Sequence, residues 1–365
     1  MGRVRSIQLA LKIYLSGTYR KLLNRLFISA LIVSHGRPIV ERAIESALNQ
    51  SLEGENYEIV VVGDLELQEL RRFESDPRIS IIYSHRKDPG GKWAEAIRRS
   101  KGEILCFLDD DDEWTRDKLE YVKDKFENNK NLGYFHNGHK SIDYDENILS
   151  HFKELRHYYA MEKIGIYSEA PRVRGDLNIQ HLSSLGAPFN SSCISIRRKI
   201  VEPYIDLLDE GKWMVDYFWF YTFAVSSSSI LLENVPLTLY RRRNGESEDQ
   251  LSNTENSIEQ KIIIYKRYLS SHETYKSLCY GLQICGYFQW MIAKAKILLD
   301  IYSPEDFEKS KMLIIGDMLR HAPKNDVNSI LSTLVLVAGY FLRMVYRPVS
   351  LIFLKALEKL KLSVI

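Results

Sequence analysis

The chain has 365 residues, enough for one large domain with an appendage. Its composition, 45% hydrophobic and 27% charged residues, is ordinary for a globular protein. A net charge of +2 excludes no class of partner by itself. The chain shows no internal repeat, low-complexity tract or sustained basic face, which argues against a repeat protein and against nucleic-acid binding.

Residues 1 to 26 contain several basic residues and no acidic one, interleaved with apolar residues at helical spacing. This pattern predicts a basic amphipathic helix that lies in a membrane interface. The competing interpretation is a helix that packs on the rest of the protein with its basic side in water. A signal peptide is not favoured, because Gln8 and Lys12 interrupt the apolar run.

From residue 27 onward, apolar strands alternate with helical segments, as in an open parallel α/β sheet. We predict strands at 27–34, 57–63, 78–84 and 103–108, and helices at 38–50, 66–74 and 91–101. Polar residues follow these strands: His35, Asp64, His85 and the run from Asp109 to Asp112. Because ligands of such sheets bind at the carboxyl ends of the strands, these side chains are expected to converge on a nucleotide pocket.

The run Asp109-Asp110-Asp111-Asp112 places four adjacent carboxylates directly after an apolar strand. Such a cluster cannot join the core without a cation to neutralise it. Magnesium binds proteins through one or two carboxylates together with substrate phosphates. The run therefore favours a divalent metal and a phosphorylated substrate. The alternative is a solvated acidic turn that caps a helix beginning near Thr115.

Four segments occur in a fixed order along the first third of the chain: 31–38 (LIVSHGRP), 43–51 (AIESALNQS), 57–64 (YEIVVVGD) and 100–114, which runs from SKGE into the Asp run and Trp114. Together they resemble the family 2 glycosyltransferases, which have the GT-A fold. The resemblance implies an α/β, GT-A nucleotide-sugar-binding domain at 27–254 with a mainly parallel mixed sheet.

This resemblance also assigns roles to the acidic residues. Asp109 and Asp111 match the Asp-x-Asp signature that holds ribose and metal, with Asp111 as the direct ligand of Mn²⁺ or Mg²⁺. Asp110 is expected to contact the nucleotide and Asp112 to neighbour the donor sugar, although four adjacent aspartates leave the register open. Asp64 matches the residue that contacts the base, but glycine precedes it where the family commonly has a second aspartate.

Basic residues complete the predicted donor site. His35 ends the first strand, and Lys92 follows two glycines at a position from which it could approach the donor diphosphate. Arg241 lies in a segment at 235–243 that is similar to the Tyr-Arg segment closing many of these domains, where an arginine can clamp the leaving diphosphate. A basic loop facing anionic lipid is the alternative for that segment.

Asp216 is the predicted general base. It lies in KWMVDYFW, which resembles the family's Glu-Asp motif with Val215 in place of the glutamate. A base must take the proton of the acceptor hydroxyl as that hydroxyl attacks the anomeric carbon. Aromatic neighbours would raise the pKa of Asp216 by desolvation, the direction that a working base requires. The alternative is a helix-surface aspartate among core aromatics.

The C-terminal third, residues 255–365, is predicted to form a helical domain that docks on the cytoplasmic leaflet of a membrane. The apolar stretch at 330–342 falls short of the roughly 20 residues that span a bilayer. The stretch at 278–293 contains Trp290 and other aromatic residues that would suit an interface. A soluble helical bundle is the competing account.

Cysteine and histidine show no metal-binding pattern. The four cysteines lack Cys-x-x-Cys spacing, which favours reduced thiols. His136 and His139 are predicted to follow a fifth strand near the acceptor side, where a structural role is favoured over sugar binding.

These features indicate a metal-dependent, inverting glycosyltransferase that moves one sugar from a nucleotide donor to a lipid-linked polyprenyl or dolichyl acceptor at the cytoplasmic membrane face. Resemblance to dolichyl-phosphate mannose synthases and cellulose-synthase-like enzymes makes GDP-mannose the first expectation for the donor. A UDP-sugar-dependent enzyme of a polysaccharide pathway, a nucleotidyltransferase and a non-catalytic sugar-nucleotide sensor are the alternatives. The chain lacks a Gln-x-x-Arg-Trp motif, which argues against processivity.

Overall fold

The computed structural model describes residues 26–64, 68–149, 166–167, 179–242, 255–278, 283–302, 311–321, 333–334 and 336–338. Residues 1–25 of the amphipathic helix predicted at 1–26, and most of the apolar stretch at 330–342, lie outside these residues.

A single mixed sheet organises the described chain. Its strands are β1 (Ile28–Ser34), β2 (Tyr57–Gly63), β3 (Ile79–Tyr83), β4 (Ile104–Asp109), β5 (Glu113–Trp114), β6 (Leu132–Ile142), β7 (Ile166–Tyr167), β8 (Ile194–Arg197) and β9 (Ser229–Arg241). The strand order is β3-β2-β1-β4-β8-β6-β9-β5, and β7 pairs with β9. Strands β1 to β4 are parallel, whereas β8 runs antiparallel to both β4 and β6. The predicted α/β class with a mixed sheet is thus confirmed.

Helices cover both faces of this sheet. They are α1 (Val40–Leu48), α2 (Pro89–Arg99), α3 (Lys118–Asn128), α4 (Ile179–Ser184), α5 (Arg198–Val201), α6 (Ile205–Gly211), α7 (Val215–Ala224), α8 (Glu255–Tyr275), α9 (Gln283–Tyr302) and α10 (Lys311–His321). In α1 the buried residues are Val40, Ala43, Ile44 and Ala47, the spacing of one helix face. The helix predicted at 66–74 is a short 3₁₀ helix, Gln68–Phe73.

The start of α2 matters for the site, because this helix carries Lys92. Its N-cap is Asp88, whose carboxylate accepts a hydrogen bond from the Gly91 amide at 2.8 Å. Pro89 occupies the first turn, where its missing N–H costs no helical hydrogen bond. The helix therefore begins at a defined residue next to the carboxyl end of β1.

The C-terminal helices share a hydrophobic core with the sheet. Phe107 of β4 stacks on Trp219 of α7 at 4.1 Å between ring centroids, and Tyr221 of α7 contacts Phe288 of α9 at 4.3 Å. Trp290 is buried and donates a hydrogen bond from Nε1 to Thr333 Oγ1 at 3.0 Å. The prediction that the aromatic side chains of this stretch face a membrane interface is therefore wrong for Phe288 and Trp290, because the protein interior covers them. None of the described helices combines the length and apolarity needed to cross a bilayer.

Two smaller predictions also need correction. His136 and His139 lie within β6 rather than after it, and both are buried; burial lowers the pKa of His136 to about 4 and that of His139 to about 3. Cys106 and Cys193 are buried free thiols, as expected, but Cys285 is disulfide-bonded.

Candidate active site

Parallel pairing of β1 and β4 brings the two central parts of the site together. Val33 lies opposite Asp109 in the register, so the loop after β1 lies beside the Asp run after β4. A cavity of about 370 Å³ opens at this edge of the sheet. Its walls are formed by Val33, His35, Arg37, Asp109, Asp110, Asp111, Asp112, Tyr240, Arg241 and Arg242. The predicted convergence of polar residues at the strand ends is confirmed for His35 and the Asp run.

Asp110 holds the loop after β1. Its carboxylate accepts hydrogen bonds from the Ser34 hydroxyl at 3.0 Å and from the His35 amide at 2.9 Å, and it forms an ion pair with Arg37 at 2.9 Å. Burial raises the pKa of Asp110, while Arg37 opposes that shift. The side chain is only 1% exposed, so its contacts lie within the protein wall rather than in the open cavity.

Asp112 contacts a different part of the chain from Asp110. Its carboxylate accepts hydrogen bonds from the Arg241 amide at 2.9 Å and from Asn190 Nδ2 at 3.2 Å. Burial, followed by repulsion from Asp111, raises the pKa of Asp112 to about 7. The carboxylate therefore binds a proton more readily than an exposed aspartate does.

Arg241 holds the main chain of the Asp run in place. Its guanidinium donates to the main-chain carbonyls of Asp111 at 3.0 Å and Asp143 at 2.7 Å, and it forms an ion pair with Glu113. The side chain is 1% exposed. These contacts give Arg241 a framework role, and its predicted contact with a diphosphate stays a prediction. Arg242, from the same predicted Tyr-Arg segment, also lies on the cavity wall, and so does Arg37, to which the sequence assigned no role.

Asp109 and Asp111 are the carboxylates that fit a metal. The Asp111 side chain is 19% exposed and forms an ion pair with Arg37. Burial and repulsion from Asp216, Asp112, Asp111 and Asp110 together raise the pKa of Asp109 well above its ordinary value. This excess of negative charge is what a divalent cation would neutralise. Among the described residues no group of three His, Cys, Asp or Glu side chains is arranged to hold a metal, but magnesium with a bound diphosphate needs only one or two carboxylates.

Asp216 lies in the first turn of α7, next to the Asp run. Its carboxylate accepts a hydrogen bond from the Ser191 hydroxyl, which in turn accepts one from Trp219 Nε1 at 3.2 Å. Burial raises the pKa of Asp216 to about 6, and the Ser191 hydrogen bond moderates this rise. A carboxylate with this pKa is ionised at neutral pH yet can accept a proton, as a general base requires.

A short turn at Asn190, Ser191 and Ser192 connects the two halves of the site. Asn190 has a left-handed φ of 57°, and its side-chain oxygen accepts from the Ser192 amide at 2.8 Å while its Nδ2 reaches Asp112. The Ser192 hydroxyl accepts from the Asp109 amide at 3.0 Å. The turn thus touches Asp109, Asp112 and Asp216 at once. The segment at 190–198 resembles another block of the family, but the sequence alone does not show that its first residues contact these three carboxylates.

Lys92 and Asp64 lie near the carboxyl ends of β1 and β2. Lys92 is buried, donates from Nζ to the Ser34 carbonyl at 2.7 Å and approaches His35 Nδ1 at 3.5 Å. Burial lowers the pKa of Lys92. Asp64 follows β2 and forms an ion pair with Lys87 at 3.1 Å, which lowers the pKa of Asp64. Neither residue lines the cavity around the Asp run, so their contacts with a nucleotide stay predictions.

Comparison with known proteins supports the resemblance that the motifs indicated. The model of Glycosyl transferase family 2 matches residues 29–203. Residues 29–203, just under half of the chain, thus match the model of a family 2 glycosyltransferase domain. The resemblance deduced from the motifs is confirmed, and the matched residues include β1 to β4, the Asp run and the Asn190 turn. Asp216 and the C-terminal helices lie beyond the matched segment.

Relatives of this glycosyltransferase domain cover only parts of the chain. An uncharacterized glycosyltransferase of Rickettsia bellii is 35% identical over 112 residues, which are 30% of this chain and 16% of that protein. The provisionally named teichuronic acid biosynthesis glycosyltransferase TuaG of Bacillus subtilis is 32% identical over 24% of this chain and 36% of its own length. The provisionally named colanic acid biosynthesis glycosyl transferase WcaA of Escherichia coli is 37% identical over 21% of this chain and 29% of its own length. The chain thus spans well under half of each relative.

Solved structures support the fold over a longer range. The crystal structure of S. aureus TarS 1-349 superposes with a TM-score of 0.52 at 13% identity and covers 82% of this chain and 81% of that one. A second crystal structure of S. aureus TarS superposes with a TM-score of 0.53 at 15% identity and covers 89% of this chain and 55% of that one. The likeness extends the shared fold beyond the matched segment.

Proposed function

We propose that the protein is a metal-dependent, inverting glycosyltransferase that transfers one sugar from a nucleotide-sugar donor to an acceptor hydroxyl during polysaccharide or glycolipid assembly. The observation that carries the proposal is the juxtaposition of the Asp run with Asp216 across one site, where the charge of Asp216 raises the pKa of Asp109. The names of the relatives in teichuronic and colanic acid biosynthesis support the pathway class.

Asp216 is the group that moves a proton in this proposal. Its carboxylate takes the proton from the acceptor hydroxyl while that oxygen forms a bond to the anomeric carbon. The bond from the anomeric carbon to the diphosphate breaks, and the nucleoside diphosphate leaves with the electron pair. Because the attack is a direct displacement, the anomeric configuration inverts.

Asp111, with Asp109, would hold Mn²⁺ or Mg²⁺. When bound, that cation would supply positive charge to the leaving diphosphate. Asp110 and Arg37 keep the loop after β1 against the Asp run. The role proposed for Asp112 is to orient the donor sugar. His35, Lys92 and Asp64 are the proposed contacts with the rest of the nucleotide, and Arg241 contributes by holding the Asp run in place.

GDP-mannose is the first donor to test, on the resemblance to dolichyl-phosphate mannose synthases. A UDP-sugar is the second candidate, and the existence of a TarS 1-349 structure in complex with UDP favours including it. The proposed acceptor is a polyprenyl- or dolichyl-linked sugar at the cytoplasmic face of a membrane. Its support is the basic, apolar-patterned segment at 1–26.

The test is incubation of the full chain with Mn²⁺, a lipid extract as the acceptor source, and a panel of labelled GDP- and UDP-sugars. Sugar label in the lipid fraction with release of an equal amount of nucleoside diphosphate supports the proposal. In a parallel incubation with GTP or UTP and a sugar 1-phosphate, formation of the nucleotide sugar with release of pyrophosphate would instead indicate a nucleotidyltransferase. Donor binding without any transfer across the panel would contradict the catalytic assignment and favour a sensor.

Membrane association has its own test. The full chain and a variant that lacks residues 1–25 are mixed with vesicles containing anionic phospholipid and centrifuged on a density gradient. Flotation of the full chain alone supports the interfacial segment, whereas equal flotation of both contradicts it. Repeating the experiment with a reducing agent shows whether the disulfide at Cys285 affects docking.

A further inference from the structure

The loop that precedes the proposed base has an unusual backbone. We define the base loop as Gly211 to Met214. Lys212 has φ 61° and ψ −41°, and Met214 has φ 57° and ψ 43°, so two residues with side chains adopt left-handed conformations within three positions. Such conformations are unfavourable for residues other than glycine and persist only where the surrounding structure holds them.

Helix α8, which follows the base loop in the chain, packs against one side of that loop. The Tyr275 hydroxyl donates a hydrogen bond to the Trp213 carbonyl at 2.7 Å, and the Ser271 hydroxyl donates one to the Gly211 carbonyl at 3.0 Å. The guanidinium of Arg267 lies 3.8 Å from the centroid of the Trp213 ring. Ser271 and Tyr275 are fully buried, and a Cβ at Gly211 would overlap the Tyr275 ring. The helix therefore packs directly on the backbone of the loop.

Helix α2 holds the same loop from the donor side. The Gly90 amide donates to the Lys212 carbonyl at 2.8 Å. A Cβ at Gly90 would lie 2.9 Å from the Lys212 Cα, so this close approach requires glycine. Two residues further on, Lys92 hydrogen-bonds to the Ser34 carbonyl at the end of β1. The base loop thus lies between the donor half of the site and the C-terminal helices.

The loop determines where Asp216 lies. Met214 is the N-cap of α7, and its carbonyl accepts the first helical hydrogen bond from the Phe218 amide at 3.0 Å. Asp216 is in the first turn of that helix, so a shift of the loop moves its carboxylate. A displacement of about 1 Å in a reacting group is enough to lower turnover by a factor on the order of 100.

We infer that helix α8 is part of the catalytic unit, and that Tyr275, Ser271 and Arg267 are positioning residues for Asp216. The inference rests on the proposed function for the identity of the base. It differs from the sequence interpretation of residues 255–365 as a separate membrane-docking appendage. Because α8 lies beyond the segment that the family model matches, the family match does not assign these residues a role.

The decisive variant is Tyr275→Phe, which keeps the buried ring and removes only the hydrogen bond to the loop. We expect kcat to fall by a factor of about 10 to 100 while calorimetric affinity for the donor nucleotide stays within twofold. Tyr287→Phe is the matched control, because Tyr287 is buried in the same core and its hydroxyl contacts Ser183 at 3.0 Å rather than the loop. The control is expected to retain kcat within twofold.

Hydrogen–deuterium exchange supplies a readout that does not depend on turnover. In Tyr275→Phe the amides of residues 211–218 should exchange faster than in the parent protein, and in Tyr287→Phe they should not. If Tyr275→Phe does not fold, Arg267→Met tests a second contact between α8 and Trp213 from an exposed position, and it should lower kcat by a smaller factor. Unchanged kcat and exchange in a folded Tyr275→Phe would overturn the inference. Absence of sugar transfer by the parent protein would overturn the proposed function instead. Hydrogen–deuterium exchange would still test whether α8 holds the base loop.

Discussion

The hydroxyl of Ser191 donates a hydrogen bond to the carboxylate of Asp216. Because a hydrogen bond to the ionised form stabilises it, Ser191 lowers the pKa of Asp216 from the value that burial alone would produce. The next residue, Ser192, binds the amide of Asp109 through its own hydroxyl. Two adjacent serines therefore connect the proposed base with the Asp run.

The first prediction concerns the pH dependence of turnover. A general base works in its ionised form, so kcat/KM should decline as the pH falls through the pKa of Asp216, about 6. Ser191→Ala removes a contact that lowers this pKa, so the acid limb of the pH–rate profile should move to higher pH. Profiles of the parent and the variant with a saturating metal concentration provide the measurement. An acid limb at the same pH in both proteins would contradict the role of Ser191.

A second prediction tests the base directly. Asp216→Asn keeps the size and polarity of the side chain but cannot take the acceptor's proton, so kcat should fall by a factor on the order of 100 to 10,000. Donor affinity should stay close to that of the parent protein. Asp206→Asn is a suitable control, because Asp206 is 94% exposed and pairs with Arg98 on the surface. Equal loss in both variants would point to an effect on folding.

The third prediction concerns the metal. Asp111→Ala should abolish the Mn²⁺-dependent part of GDP or UDP binding, because the diphosphate and the carboxylates need the cation between them. Titration calorimetry with and without EDTA measures this part. If the variant binds the nucleotide like the parent protein, the metal ligand is to be sought at Asp109, Asp110 or Asp112.

A fourth prediction concerns Arg37, whose substitution should strengthen metal binding where that of Asp111 should weaken it. Its guanidinium forms ion pairs with Asp110 and Asp111, so it competes with a metal for the negative charge of the run. Arg37→Met should therefore strengthen Mn²⁺ binding in the absence of nucleotide, by a factor of about 3 to 10. Electron paramagnetic resonance of free Mn²⁺ measures the affinity. Weaker binding in Arg37→Met would show that Arg37 shapes the metal site rather than competing for it.

The sequence predicted what depends on local pattern. Apolar runs such as the one before Asp109 located the strands, and parallel pairing made the convergence of their polar ends a geometric consequence. The sequence could not predict contacts between distant segments, such as Tyr275 with Trp213 or Ser191 with Asp216, because these depend on how α8 and the Asn190 turn pack. Burial was also misjudged: aromatic residues suit a membrane interface and a protein core equally well, and Trp290 lies in the core.

The last prediction concerns stability and rests on His272 of α8. This side chain is fully buried, donates a hydrogen bond from Nδ1 to the Tyr268 carbonyl at 2.7 Å, and contacts the Tyr221 hydroxyl through Nε2 at 2.9 Å. Since a carbonyl only accepts, Nδ1 carries the proton and Nε2 accepts from Tyr221, the arrangement of a neutral ring. Burial lowers the pKa of His272 from 6.5 to about 4.

Between pH 6.5 and 4 the unfolded chain binds a proton at this position and the folded protein does not. The contribution of His272 to the free energy of unfolding therefore decreases as the pH falls, by about 1.4 kcal/mol per pH unit. His272→Gln cannot titrate, so its unfolding free energy should depend less steeply on pH across this window. Urea denaturation of both proteins at several pH values measures the two slopes. Parallel slopes would show that His272 is protonated in the folded protein, and the neutral contact with Tyr221 would then be wrong.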